Sequence, residues 1–267
     1  MFDLAELEAE LAGTIYEGQL HFSAVTGSTN TDAMAAARGG APHGWVFFAD
    51  EQRAGRGRGD HAWHSVAGEG LYVSVLLRPD LPPACLPLIP LAAGLAAAEA
   101  IRATAGLAAD LRWPNDLLLG PRKTGGILVE AQSRNQGETN AIAFAVVGIG
   151  INVHQRAFEP GLATPATSLD LESGRRISRQ SLLVALLKSL ERETTGLLDP
   201  VIRGTIPARV ERASTWVRGR FVEVHGPREY AGTTEGLDEH GFLLVRTVDG
   251  LVQVQTGGIR ERTAVSS

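Results

Sequence analysis

Twelve consecutive residues, Gln52-Arg53-Ala54-Gly55-Arg56-Gly57-Arg58-Gly59-Asp60-His61-Ala62-Trp63, hold the densest charge chemistry in the chain. Glycines at alternate positions let backbone approach a ligand closely, and the arginines between them can grip phosphate oxygens in pairs. The composition suits a phosphate-gripping loop, and equally a solvated basic loop or an RNA-binding Arg-Gly segment. A second group, Arg112-Trp113-Pro114-Asn115-Asp116, joins two strand-like runs. Pro114 removes a donor and fixes a turn, so Asn115 and Asp116 project as a polar pair. In a functional reading Asp116 holds Mg2+ or acts as a general base and Asn115 meets an adenine; otherwise this is simply a turn. Lys123-Thr124-Gly125-Gly126-Ile127-Leu128 sets one compact positive charge beside a glycine pair and a buried strand. Val147-Gly148-Ile149-Gly150-Ile151-Asn152-Val153 ends an apolar strand in small residues and an amide, either as a tight exit or as a ligand wall.

The familiar nucleotide fingerprints fit poorly. A dinucleotide-binding pattern started at Gly55 and Gly57 needs glycine at 60, where Asp60 stands, and the relaxed set Gly57, Gly59 and Ala62 is not followed by a helix pattern. Gly148-Ile149-Gly150 fails at Val153. Lys123-Thr124 resembles the end of a phosphate-binding P-loop, but Arg122 precedes the lysine and the upstream glycine is misplaced.

The elements that must position these groups follow from periodicity. Leu4, Leu7 and Leu11 after Asp3 predict a short leading helix, and a strand is expected near Leu20–Val25. Ser28-Thr29-Asn30 starts an alanine-rich helix that stops at Gly39-Gly40. Strands are expected at Trp45–Ala49, Leu71–Leu77, Asp110–Trp113, Asp116–Leu119, Gly126–Ala131 and Ile142–Gly148, with helices at Pro87–Thr104 and Ser178–Leu198. After Ser214 the texture turns to short β runs, Phe221–Val224, Phe242–Val248 and Leu251–Gln255, with Asp249-Gly250 as a hairpin turn.

Totals narrow the function classes. At 267 residues with 44% hydrophobic and 21% charged residues, the chain reads as a soluble folded protein. A net charge of −5 argues against a dedicated nucleic-acid binder. The single Cys85 excludes an internal disulfide and any multi-cysteine zinc site, which favours the cytoplasm. The acidic start carries no signal-peptide pattern, and the apolar run Leu86–Ala100 is expected to be a buried helix too short to span a bilayer.

Taken in order, Ser28–Asn30, Gln52 with Gly55–Arg58 and Trp63, Arg112–Asp116, Lys123–Leu128 and Gly148–Asn152 resemble the motifs of the biotin–protein ligase family. The resemblance is dense over about residues 20–170 and looser in the β-rich tail. It implies an α+β fold: a mixed β-sheet covered by helices, like the class II synthetase-type catalytic domain of biotin and lipoate ligases, over residues 1–213. A small SH3-like β-barrel is implied for 214–267. It also implies activation of biotin by ATP with Mg2+ to biotinyl-5'-AMP, and transfer to a lysine of a carboxylase's biotin carrier domain.

On that resemblance the biotin pocket is lined by Ser28, Thr29, Asn30, Gln52, Gly55, Arg56, Gly57, Arg58, Lys123, Gly125 and Gly126. ATP meets Arg56, Arg58, Trp63, Asn115, Asp116, Lys123 and Asn152. Lys123, Arg58 and Asp116 are the expected catalytic residues, with Asp116 as metal ligand or base, and Gly55–Trp63 is the expected lid. The type implied lacks an N-terminal DNA-binding domain, so neither DNA nor a membrane is expected as a partner, while a homodimer is left open. The pattern departs from the family at Gly59-Asp60-His61 and at Gly257–Arg262, and no C-terminal catalytic residue is carried over. A lipoate ligase or octanoyl transferase is the nearest rival, and an RNA-binding protein the alternative of a different class.

Overall fold

The computed structural model describes residues 2–59, 61–136 and 139–261. Its centre is a seven-stranded mixed sheet in the order β1-β2-β3-β7-β6-β5-β4. The strands are β1 (Leu20–Thr26), β2 (Val46–Gln52), β3 (Gly70–Leu77), β4 (Asp110–Arg112), β5 (Asp116–Leu119), β6 (Arg122–Gln136) and β7 (Thr139–Asn152). Only β1 and β2 pair in parallel, joined through helix α2 (Thr29–Arg38), as a parallel pair needs a crossover; every other neighbour is antiparallel.

One face of the sheet carries the main core. Helix α3 (Leu88–Ala105) lies there against α5 (Arg179–Gly196): Ala92, Ala93, Ala96, Ala97 and Ala100 leave room for Leu182, Leu183, Leu186, Leu187 and Leu190. With the 3-10 turn before it, the helical stretch Pro83–Ala105 is long and apolar enough to cross a bilayer, so the expectation that this run is too short fails. Prolines at a helix start do not interrupt it, and Gly106, at φ 72°, ends it. Its alanines are nevertheless spent on the protein core.

On the other face α2 packs Ala33 and Ala37 on Leu76, Phe144 and Val146. The glycines of β6 and β7 lie on this face from the first turn of α2 onward, where Asn30 stands over Gly148. Helices α1 (Leu4–Glu10), α4 (Leu169–Ser173), α6 (Pro200–Gly204) and α7 (Ile206–Arg212) complete the layer on the core side and the links to the tail. Asp3 caps α1 as its sequence suggested. Ser28 holds the N-cap position of α2 but makes no side-chain capping bond.

The tail is a five-stranded antiparallel sheet, order β11-β10-β9-β8-β12, made of β8 (Arg218–His225), β9 (Tyr230–Leu237), β10 (Leu243–Thr247), β11 (Gly250–Val254) and β12 (Gly258–Glu261). Its edges are β11 and β12; among the described residues their pairing does not close a barrel. It docks on the Arg112–Asp116 turn. Trp113 donates its indole N–H to the carbonyl of Gly241 at 3.1 Å, and Ser214 and Thr215 hydrogen-bond to Leu111 and Asp110.

Candidate active site

The site lies on the α2 face of the sheet, where the C-terminal ends of β2 and β7 meet the starts of β3 and β6. Its inner wall is a continuous run of buried and half-buried polar groups. Thr29 N–H donates to Gln52 Oε1 at 2.9 Å, and Gln52 Nε2 donates to Ser65 Oγ at 2.8 Å. On the other side, Thr29 Oγ1 lies 2.7 Å from Ser74 Oγ, and Ser74 donates to Asn30 Oδ1 at 2.6 Å. Each hydroxyl has one proton: Ser74 spends its own on Asn30, while that of Thr29 has both Ser74 Oγ and, at 3.1 Å, Gln52 Oε1 within reach. Asn30 Nδ2 then donates to Glu130 Oε2 at 3.0 Å. Ser28, Thr29, Asn30 and Ser74 are all buried.

The floor is glycine by necessity. A Cβ on Gly148 would stand 2.0 Å from Asn30 Oδ1, and one on Gly150 would stand 2.5 Å from the Trp63 ring. One on Gly126 would press on Trp63 at 3.3 Å and on Lys123 at 3.5 Å. Thus Trp63 rests on the β6–β7 floor, with the Lys123 ammonium 5.6 Å from its ring centroid. At Gly55 a Cβ would meet the Trp63 carbonyl at 2.3 Å, so the loop folds back on itself there.

The charged groups of the sequence motifs converge. Lys123 Nζ is 2.5 Å from Asp116 Oδ1, and Arg112 Nη2 is 2.5 Å from Asp116 Oδ2. Burial alone would raise the Asp116 pKa, but Lys123 and Arg112 together hold it below the usual carboxylate value. Arg56 pairs with Glu130 at 2.7 Å. Arg58 donates to the carbonyl of Gly257, just before the last strand; burial lowers its pKa, against the opposing pull of Asp116.

Some expected roles sit differently. Asp116 does not fit a resident metal ligand: both its oxygens are taken by cations, and among the described residues no group of three or more His, Cys, Asp and Glu could hold an ion. Held ionised so firmly, it is also a weak base. Asn115 spends its amide on the carbonyl of Ile127 at 2.9 Å, and Asn152 donates to that of Thr167 at 3.0 Å, so both brace backbone. Glu130, Ser74 and Ser65 are site residues that motif reading missed. They lie outside the motif strings, and only sheet register and loop folding bring them in. Asp60 lies outside the described residues, as does Arg262.

Residues 22–152 match the model of the biotin/lipoate A/B protein ligase family. The chain is 33% identical over 263 residues to the bifunctional ligase/repressor BirA of Bacillus spizizenii, covering 96% of this chain and 78% of that one. It is 35% identical over 232 residues to the biotin–[acetyl-CoA-carboxylase] ligase of Paracoccus denitrificans, covering 83% and 91%. The biotin protein ligase of Aquifex aeolicus, solved in complex with biotin and ATP, superposes with a TM-score of 0.76 at 27% identity, covering 92% of this chain and 99% of that one. Fold and site therefore define a ligase of the class that acylates protein lysines. Within it, this chain belongs to the biotin protein ligase family.

Proposed function

We propose that the chain is an ATP-dependent biotin–[acetyl-CoA-carboxylase] ligase. Biotin's carboxylate oxygen attacks the α-phosphorus of ATP; the bond to the bridging oxygen breaks and pyrophosphate leaves, giving biotinyl-5'-AMP. The neutral ε-amine of a lysine on a carboxylase's biotin carrier domain then attacks the acyl carbon. AMP departs with the electron pair, and the amine loses a proton to solvent or to the departing phosphate. The observation that carries this reading is that Lys123 and Trp63 stand on a glycine floor, Arg56 meets Glu130 on the same strand, Arg58 lies within electrostatic reach of Asp116, and a polar wall backs the group.

Bringing two anions together needs fixed positive charge where charge develops, and these three cations supply it. Lys123, oriented by Asp116, is assigned to the acyl and α-phosphate oxygens. Ser28, Thr29, Asn30 and Gln52 form the polar wall for biotin's ureido ring, with Gly55, Gly57, Gly125 and Gly126 admitting close approach. Trp63, Asn115, Asp116 and Asn152 are assigned to the ATP side, the two asparagines as braces. Mg2+ is assigned to the phosphates of the incoming ATP, since Asp116 is committed elsewhere. The loop Gly55–Trp63 is the lid that keeps water from the anhydride. We divide the chain into a catalytic unit, 1–213, and a small SH3-like unit, 214–267, and place the enzyme in the cytoplasm with neither DNA nor membrane as partner.

Incubation with biotin, Mg·ATP and a carrier domain should add one biotinyl mass to the carrier. No addition, or equal addition with lipoate in place of biotin, refutes the assignment. Lys123→Ala should slow biotin-dependent pyrophosphate exchange by about a hundredfold or more, the scale of removing one donor from developing charge. A near wild-type exchange rate would sink the role given to Lys123.

A further inference from the structure

Glu130 lies in β6, four residues past Gly126 and so on the same face of the sheet. Its carboxylate is divided between two elements. Oε1 accepts from Arg56 of the lid at 2.7 Å, and Oε2 accepts from Asn30, in the first turn of α2, at 3.0 Å. Both partners present donors. Arg56 has no acceptor to offer, and the carbonyl oxygen of Asn30 is already engaged by Ser74. The position therefore calls for two acceptors on one side chain. Glutamine, of equal size, offers one acceptor and one donor, and must set a donor against a donor at Arg56 or at Asn30.

We propose that Glu130 is a positioning residue for biotin activation, tying the lid arginine to the pocket wall so that closing the lid and shaping the pocket are one adjustment. It touches no reacting atom; it acts through Arg56 and Asn30. The inference rests on the biotin-activation reading above.

The test compares wild type, Glu130→Gln and Glu130→Asp by thermal midpoint, biotin-dependent pyrophosphate exchange and lifetime of the bound adenylate. No exchange by wild type would overturn biotin activation itself, separately from anything the variants do. With wild type active, Glu130→Gln should keep its midpoint and its KM for biotin within about threefold, yet lose about tenfold or more in exchange kcat and in adenylate lifetime, as expected for one charge-assisted hydrogen bond. Wild-type kcat and lifetime in Glu130→Gln, or a drop in thermal midpoint that parallels the loss of kcat, overturns the proposal. If Glu130→Gln does not fold, Glu130→Asp serves: with two acceptors on a shorter stem it should fold and show a reduced kcat, and an unchanged kcat counts against the proposal.

Discussion

Asp116 neutralises two cations at once while nearly buried, so removing its charge strands both. Asp116→Asn should destabilise the fold by about 3 kcal/mol near neutral pH, the scale for breaking a buried pair. The sign with pH follows from its lowered folded pKa. Its contribution is complete above the ordinary carboxylate value of 3.8 and is lost as pH falls through the lower folded value. Urea titrations of wild type and variant should therefore converge in acid. The glycine floor makes a second prediction. Gly148→Ala pushes on Asn30 inside the polar wall and should cost about 2 kcal/mol, as overpacking does. Gly150→Ala pushes only on the ring of Trp63, a loop residue, so stability should move by about 0.5 kcal/mol or less while the adenylate is retained less well; denaturation and adenylate lifetime check the pair. Such roles are only partly readable from sequence. Lys123 and Arg56 stand inside short strings of glycine and charge, whereas Ser74 and Glu130 look like any polar residue on a strand until register brings them opposite Asn30.

At the scale of elements, α2 carries Thr29 and Asn30, so whatever holds α2 holds the wall. Arg78, just past β3, donates to the carbonyls of Ala37 and Ala41 at 2.7 and 2.8 Å and lies 5.7 Å over the Phe144 ring. It closes the C-terminal end of α2, where carbonyls lack helical partners. Arg78→Met keeps the stem but loses these bonds; the loss should be about 2 kcal/mol, read as a lower denaturation midpoint, with faster amide exchange in the last turn of α2. The long helices and the first three strands were legible because their apolar spacing is regular. The β6–β7 hairpin runs well past the expected Gly126–Ala131 and Ile142–Gly148, because its far ends are polar and paired chiefly with each other. Strand β9 has threonines, glycines and a glutamate in place of an apolar run. Helices α6 and α7 begin at or next to prolines that read as breaks but sit in first turns, where proline is tolerated.

Across the whole molecule, the tail sheet completes the site's surroundings. Arg112 and Arg220 both lie over the Trp216 ring, at 5.2 and 4.0 Å, so the residue that holds Asp116 also touches the tail. His225, at the end of β8, is pushed toward its neutral form first by burial, then by Arg260, Arg112 and Arg58, with Glu229 opposing. An unfolded histidine takes its proton near 6.5, whereas this one resists until lower pH, so stability falls as pH drops below 6.5. The thermal midpoint should decline from about pH 7.5 to about pH 5.5, and His225→Asn should flatten part of that decline. The short β runs after Ser214 made a β tail legible, but its contact with the lid arginine through Gly257 is a property of three-dimensional docking. A last consequence concerns self-acylation. An enzyme that stores a reactive acyl anhydride is surrounded by its own amines, yet this chain has only two lysines, Lys123 and Lys188, in a Lys plus Arg total of 25. Guanidinium groups grip phosphate without acting as acyl acceptors. Lys188 is exposed on α5, across the sheet from the site, and Lys123 is tied to Asp116 by an ion pair. The molecule thus gathers most of the positive charge its chemistry requires in guanidinium groups that its own intermediate does not modify.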